Sequence, residues 1–240
     1  MEKEKNYEIQ PGLTPTLYVC LGVSGAGLTT AVNRINKLGL AELAPPQFVT
    51  RKLRLNEKRG DQYYPVTKEA LTRVPNQIAL QSEFYGNTYG FFYPAINRIQ
   101  HTLQTKNVVV DSGNPPSDWH AILNNQFPIV SLFFAPENPF IAINRVIKRD
   151  HGAKDIISAE DVLKRFQGNA QMIRLIREYD YWVDTTDFAY VVPVLESIVK
   201  VHSFGSRSKH PKVKSVPESQ DAIARLLENY KINLTDYISL

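Results

Sequence analysis

The 240-residue sequence holds a single cysteine, two methionines and two tryptophans. One thiol, Cys20, excludes an intrachain disulfide, and its place inside the apolar run Leu17-Tyr-Val-Cys-Leu21 marks it as a buried strand residue. No apolar stretch approaches the roughly 20 residues that cross a bilayer. The opening Met1-Glu-Lys-Glu-Lys5 has no apolar core of the kind a secretion signal needs. No internal repeat is visible. With 43% hydrophobic and 22% charged residues, the composition is that of an ordinary globular chain. Together these absences predict a soluble, cytoplasmic protein without a membrane partner. A net charge of +4 suits phosphate-bearing partners but does not select one.

One further absence lies in the stretch around which the chain is organised. The apolar run to Leu21 breaks into Gly22-Val-Ser-Gly-Ala-Gly-Leu-Thr-Thr30, and apolar residues then resume at helical spacing at Ala31, Val32, Ile35 and Leu38. Strand, GxxxxG, hydroxyl and helix, in that order, describe a phosphate-cradling loop. Its glycines let successive backbone N–H groups point inward, and the new helix adds the positive end of its dipole. This makes Gly22, Ser24, Gly25, Ala26, Gly27, Leu28, Thr29 and Thr30 a candidate phosphate-binding loop, in which Thr29 stands at the hydroxyl position that holds Mg²⁺ where the motif is complete. The motif calls for Lys before the hydroxyl residue, and Leu28 stands there instead. By itself, a lysine-free loop also fits a glycine turn in some other α/β unit.

Residues Met1–Thr16 are polar with Pro11 and Pro15, and read as a mobile arm. Pro45 to Tyr64 reads as a short strand leading into a basic loop that turns at Gly60, and Ile78 to Phe92 as small strands dense in Tyr and Phe. Ala95 to Leu103 has helical spacing. Val108-Val-Val-Asp111 and Pro128 to Pro136 are continuous apolar strands, as a parallel sheet covered on both faces requires. Asn138 to Arg149 is helical. A polar connector, Asp150 to Asp155, then leads to Ser158-Ala-Glu-Asp161, a capping box for a helix running to about Tyr179. Asp180 to Val183 is a late strand, and Val191 to Val201 a closing helix or strand. His202 to Val216 holds basic residues and no acid, and reads as a linker. Ser219 to Ile232 reads as a terminal amphipathic helix in need of a surface to dock on. The domain expectation is an arm over 1–16, a main domain over 17–201, a basic linker over 202–216 and a C-terminal helix within 217–240. Alternating β and α elements predict one doubly wound α/β domain.

With these stretches in order, the chain resembles the guanylate kinase family of nucleoside monophosphate kinases over roughly residues 17 to 200. Five segments carry the resemblance: the lysine-free loop; Thr50-Arg-x-x-Arg54 followed by Glu57, Gly60 and Tyr63; Gly-Asn-Thr-Tyr-Gly (86–90); Arg145-x-x-x-Arg149 with Arg165 downstream; and Glu-Tyr-Asp-Tyr-Trp-Val-Asp (178–184). The resemblance implies a P-loop nucleoside-kinase-like parallel sheet with a small acceptor-binding β subdomain and a helical lid. It implies that Arg51, Arg54, Tyr63, Tyr89 and Asp111 bind the acceptor. It also implies that Arg145, Arg149, Arg165 and Asp111 serve catalysis, and that ATP arrives with Mg²⁺. Arginine suits that acceptor site because a phosphate wants planar, bidentate donors. The competing reading of the same residues is a solvated basic loop, a packed sheet and an exposed helix face.

The departures matter as much. Leu28 removes the loop's cation, and the family's guanine-reading Glu and hydroxyl fall on Leu80 and Phe91. Where the family strand ends in Asp-x-Asp, this chain has only Asp111. Apolar side chains in those places leave guanine donors unpaired, which discriminates steeply against guanine. Two functions follow. One is phosphoryl transfer from ATP to a nucleoside monophosphate or related phosphorylated small acceptor, with activity weak or altered. The alternative is a catalytically inactive module of the same type that binds a phosphorylated ligand or a protein partner. The terminal helix suggests a protein partner or self-association. The basic tail alone, without a stacking motif or a groove-reading helix, argues against nucleic acid.

Overall fold

The computed structural model describes residues 13–54, 57–152, 158–206 and 210–231. Most of the expected arm, the connector from residue 153 on, part of the expected linker and the last nine residues lie outside them. The chain begins β1 (Leu17–Gly22), α1 (Leu28–Lys37), β2 (Glu42–Leu43), β3 (Gln47–Val49), β4 (Tyr63–Pro65) and α2 (Lys68–Thr72). It continues through β5 (Ile78–Phe84), β6 (Asn87–Phe92), α3 (Tyr93–Thr102), β7 (Val108–Asp111), α4 (Pro116–Ile122) and β8 (Ile129–Ala135). The last elements are α5 (Pro139–Gly152), α6 (Ala159–Met172), β9 (Tyr181–Asp184), α7 (Val191–Phe204), β10 (Lys214–Ser215) and α8 (Gln220–Asn229). No helix among the described residues is long and apolar enough to cross a membrane.

The larger sheet has the order β10-β9-β8-β1-β7-β2, parallel except at β10. Strand β1 shows why its sequence does not alternate. Leu17 and Val19 face one core with Val108, Val110 and Trp119, while Tyr18 and Cys20 face the other with Val109, Leu132 and Ile198. Both faces are covered, so both carry apolar side chains. From β1 the chain crosses to β2 on one side, and from β8 it crosses to β9 on the other. The carboxyl end of β1 is therefore the topological switch point where such sheets bind ligands.

A second sheet, β4-β3-β6-β5, forms the small subdomain. It is tied to itself at Thr50, whose N–H donates to the Thr88 carbonyl and whose hydroxyl accepts from the Thr88 N–H. Helices α5 and α6 form the lid. Ser158 caps α6, its hydroxyl oxygen accepting from the Asp161 N–H at 3.1 Å.

Three boundaries differ from the sequence reading. Thr16 belongs to the domain, buried, with its N–H on Asn107 Oδ1 at 2.9 Å. Helix α7 runs to Phe204, three residues into the stretch read as linker, where Gly205 in the left-handed region (φ 64) ends it. The far end of that stretch forms β10, antiparallel to β9, and Lys214 stands 4.0 Å from the centre of the Trp182 ring. Polar and basic composition suggested a linker, but here it covers the exposed edge of β9, a place where charged residues are common.

Helix α8 also has its docking surface within the chain. Ile223, Leu226 and Tyr230 are buried in the main core, and the Tyr230 hydroxyl donates to the Pro136 carbonyl at 3.2 Å. The surface that its apolar stripe needed is this chain's own core.

Candidate functional site

The loop after β1 holds two glycines with positive φ, Gly25 (+91°) and Gly27 (+80°), a conformation that disfavours side chains. Space forbids them as well. A Cβ on Gly25 would lie 2.0 Å from the Ala142 carbonyl oxygen of α5, and one on Gly27 would lie 2.5 Å from the Phe188 ring. The Val23 N–H donates to Phe134 O, the Ala26 N–H to Val23 O and the Ser24 N–H to Asn169 Oδ1. The N–H groups of Gly25, Gly27, Leu28, Thr29 and Thr30 have no partner among the described residues. Five open donors at the start of α1 form an anion cradle. Leu28 is buried against the main core, so the position that would carry the loop's cation contributes packing instead.

The loop borders a cleft of about 860 Å³. Facing it across the cleft are Arg54, Tyr63, Tyr89 and Asp111, and α5 contributes Arg145 and Arg149. Among the residues expected to hold the acceptor phosphate, Arg51 is the most constrained. Its Nη1 and Nη2 donate to the two Glu57 carboxylate oxygens at 2.6 and 2.8 Å, Nη1 also donates to the Lys52 carbonyl, and Nε donates to the Tyr89 hydroxyl at 3.3 Å. Its guanidinium lies 4.9 Å from the centre of the Tyr63 ring. Four of its five donor hydrogens are thus engaged. Arg54 is less engaged: its Nη1 donates to Glu57 Oε1 at 3.3 Å, and its side chain is 41% exposed. Burial first, and then the neighbouring Arg51 and Arg149 cations, push its pKa down against the pull of Glu57. The two arginines therefore do not form the symmetrical fork that the sequence suggested. Arg51 is anchored by both Glu57 oxygens, and Arg54, with one longer side-chain contact to the same carboxylate, keeps its other donors for an incoming anion.

The three lid arginines split as well. Arg145 Nη2 donates to the Thr186 carbonyl at 3.2 Å, while its Nη1 is buried with no hydrogen-bond partner. A buried guanidinium nitrogen without an acceptor is costly unless an anion supplies one. Arg149 lines the cleft beside it. Arg165, on α6, reaches Ser24 Oγ with Nη1 at 3.3 Å and so meets the lip of the loop.

Asp111 ends β7 opposite Cys20 in the register. Burial pushes its carboxyl up to about 6, against the pull of Arg54 and Arg51. Its main-chain carbonyl accepts from the Gln47 side-chain amide. Among the described residues no cluster of three or more His, Cys, Asp or Glu forms a metal cage. The cleft instead offers the Thr29 hydroxyl and Asp111. So sparse a donor set fits Mg²⁺, which keeps several waters and is commonly carried in on nucleotide phosphates.

The sequence reading missed Glu57 as the anchor of Arg51, Phe188 over Gly27, and the pair Tyr85 and Asn169 at the loop lip. Glu57 had a signal, since it lies within the arginine segment; Asn169 had none. The positions expected to read guanine, Leu80 and Phe91, are cross-strand partners on β5 and β6. Both are buried in the second core, and the Phe91 ring packs edge-on against Trp119 at 5.4 Å. They offer no polar group to a base.

Comparison with known proteins agrees with this geometry. The guanylate kinase family model matches residues 14–202. The guanylate kinase of Alcanivorax borkumensis is 27% identical over 191 residues, covering 77% of this chain and 86% of that protein. The guanylate kinase of Thermotoga maritima is 26% identical over 211 residues, covering 87% and 93%. Among solved structures, guanylate kinase from Anaplasma phagocytophilum superposes with a TM-score of 0.58 at 19% identity, covering 80% of this chain and 87% of that one, which supports the fold. A parallel sheet with a glycine loop at its switch point, a small second sheet and a two-helix lid is the architecture such a match requires, and the chain belongs to the guanylate kinase family.

Proposed function

We propose that the protein transfers the γ-phosphoryl group of ATP to the phosphate of a small acceptor, a nucleoside monophosphate or a related phosphorylated compound. One observation carries this reading: the five open N–H groups of the loop, Arg54 and the lid arginines Arg145 and Arg149 border the same cleft. An oxygen of the acceptor phosphate attacks the γ-phosphorus in line. The bond from that phosphorus to the β–γ bridging oxygen breaks, and ADP leaves with the electron pair. Such a step needs positioning and charge neutralisation more than covalent help. Arg54 holds the acceptor phosphate, with Arg51, Tyr63 and Tyr89 as its rigid floor. Arg145 offers its unpartnered Nη1 to the transferring group, and Arg149 adds charge beside it. Thr29 and Asp111 would hold the Mg²⁺ that comes with ATP, and the ion would supply charge neutralisation at the phosphates.

A second reading, a catalytically silent module that binds a phosphorylated ligand, is favoured by two specific features. Leu28 is packed into the core, leaving the loop without a cation, and Glu57 already fills most of the Arg51 fork. Loss of one preorganised charge at a transition state costs about 10²–10³ in rate, which weakens catalysis without abolishing it.

A thermal-shift screen with ATP·Mg²⁺ and each nucleoside monophosphate tests the binding step. A ligand at a hundred times its Kd adds about 2.7 kcal/mol of stability. Stabilisation by ATP·Mg²⁺ and by at least one monophosphate supports the reading, and none by either removes it.

A further inference from the structure

Ser24, at the lip of the phosphate loop, is gripped from outside the loop. Its N–H donates to Asn169 Oδ1 at 2.8 Å and to the Tyr85 hydroxyl oxygen at 3.2 Å. Its carbonyl accepts from Asn169 Nδ2 at 3.2 Å, and the Tyr85 hydroxyl donates to Asn169 Oδ1 at 2.6 Å. Asn169 is fully buried, and its amide holds the N–H and the carbonyl of Ser24, in the two peptide groups that flank that residue.

The two gripping residues come from different parts of the molecule. Tyr85 sits in the turn between β5 and β6, the hairpin that also carries Tyr89, with φ at +53°. A bulky residue in that region is uncommon and is held there by its surroundings. Asn169 lies on lid helix α6, one turn beyond Arg165 on the same face and next in sequence to Gly168. Gly168 interrupts a helix interior, where glycine weakens the helix. The reason is steric, because a Cβ there would lie 2.2 Å from Tyr85 Cε1. The helix thus accepts a glycine, and the turn a strained tyrosine, to bring both onto Ser24.

We propose that Tyr85 and Asn169 are positioning residues of the phosphate loop. Through Ser24 they fix the loop so that its remaining N–H groups stay directed at a phosphate, and they tie loop order to the seating of the acceptor sheet and the lid. The inference deepens the proposed function and rests on its reading of Gly22–Thr30 as the donor-phosphate loop. Neither residue brings a charge. Their effect reaches the nucleotide through the Ser24 peptide.

The test combines hydrogen exchange of loop peptides, read by mass spectrometry, with calorimetric titration of ATP·Mg²⁺ into the full chain. The variants are Tyr85→Phe, Asn169→Ala and their double. Asn107→Ala serves as a control, because Asn107 is equally buried and bonded but joins Thr16 to Leu40. Removing the Tyr85 hydroxyl or the Asn169 amide is expected to speed exchange in the Leu21–Leu28 segment and to weaken ATP·Mg²⁺ binding about 5- to 10-fold, the scale of one hydrogen bond. The effects of the two single variants should not add in the double, because both groups hold the same N–H and bond to each other. Asn107→Ala should lower stability and leave loop exchange and affinity unchanged.

Loop exchange equal to wild type in Tyr85→Phe, or an equal change in the Asn107→Ala control, would overturn the proposal. Should Asn169→Ala fail to fold, Tyr85→Phe decides alone, since it keeps the ring that packs on Gly168 and loses one oxygen. A wild-type chain that binds no ATP·Mg²⁺ would remove the function reading. The exchange measurement, which needs no nucleotide, would then decide the inference by itself.

Discussion

Arg51 and Glu57 face each other fork to fork, with Nη1 to Oε2 at 2.6 Å and Nη2 to Oε1 at 2.8 Å. The pair is mostly shielded, with side chains 13% and 15% exposed, and Glu57 also accepts from the Arg54 N–H. A carboxylate is the side-chain group most like a phosphate in the donors it accepts. Glu57 therefore sets Arg51 in place, and most of the remaining capacity for an acceptor anion falls to Arg54.

This asymmetry separates four cations of the segment, Arg51, Lys52, Arg54 and Lys58. Arg54→Ala is expected to cost about 1.5–3 kcal/mol in affinity for the phosphorylated acceptor, the value of a hydrogen bond to a charged group, with little loss of stability. Arg51→Ala is expected to lower both affinity and stability, because the partly buried Glu57 loses its two-point partner and keeps only its Arg54 contacts. Lys52→Ala and Lys58→Ala should change binding by only a few tenths of a kcal/mol, all of it screened by salt. Arg54→Lys should rescue partly, since a point charge does not reproduce the planar donor set. Titrations at two salt concentrations check this. Equal, salt-sensitive losses at all these positions would mean a solvated basic loop.

Leu80 and Phe91 predict that GMP is not the preferred acceptor. Their cross-strand contact and the edge-on packing of Phe91 on Trp119 leave no acceptor for guanine's ring N–H and amino group at those positions. Calorimetry with GMP, AMP, CMP and UMP decides the matter. GMP binding tenfold tighter than the others, about 1.4 kcal/mol, would sink the expectation.

Leu28→Lys probes the loop. The position starts α1 and lies on the cleft wall as well as against the core, so a lysine there has an exit toward the phosphates. ATP affinity and any phosphoryl transfer should rise through the restored charge-assisted contact. Stability should fall modestly with the loss of packed leucine. Unchanged ATP affinity in a folded variant would mean that the loop no longer grips a nucleotide.

Asp111 gives a pH dependence of known sign. Its carboxyl is raised from 3.8 to about 6, mainly by burial, so the folded state holds the proton more tightly than the unfolded chain. Its contribution is fully present below about pH 4 and is lost as pH rises through about 6, a loss of about 3 kcal/mol for a rise of that size. Chemical denaturation from pH 4 to 7 should show wild type losing stability relative to Asp111→Asn across that window. Parallel profiles for the two proteins would refute the assignment.

Much of the scaffold was legible in the sequence because its signals were local. Continuous apolar runs at β1, β7 and β8, the Ser158 cap and the glycine loop each report on their own neighbourhood. Relations between distant residues were not legible. Nothing near Asn169 says that its amide will meet Ser24, 145 positions away, and the Arg51–Glu57 pair depends on how one loop folds back on itself. The end of the chain misled for a related reason. Basic residues with few large apolar side chains read as linker, although the edge of β9 and the Trp182 face gave Lys214 a fixed place.

The central claim is that one cleft brings ATP and a phosphorylated acceptor together for transfer. Phosphorus NMR of the protein with ATP·Mg²⁺ and each nucleoside monophosphate in turn reads this most directly, because it follows donor and product phosphates at once. The account predicts that ADP and a nucleoside diphosphate appear together for at least one acceptor, at a rate that falls sharply in Arg145→Ala and Arg54→Ala. ATP signals that stay unchanged with every acceptor, in samples where both ligands bind, would contradict it and leave a binding module on a kinase fold.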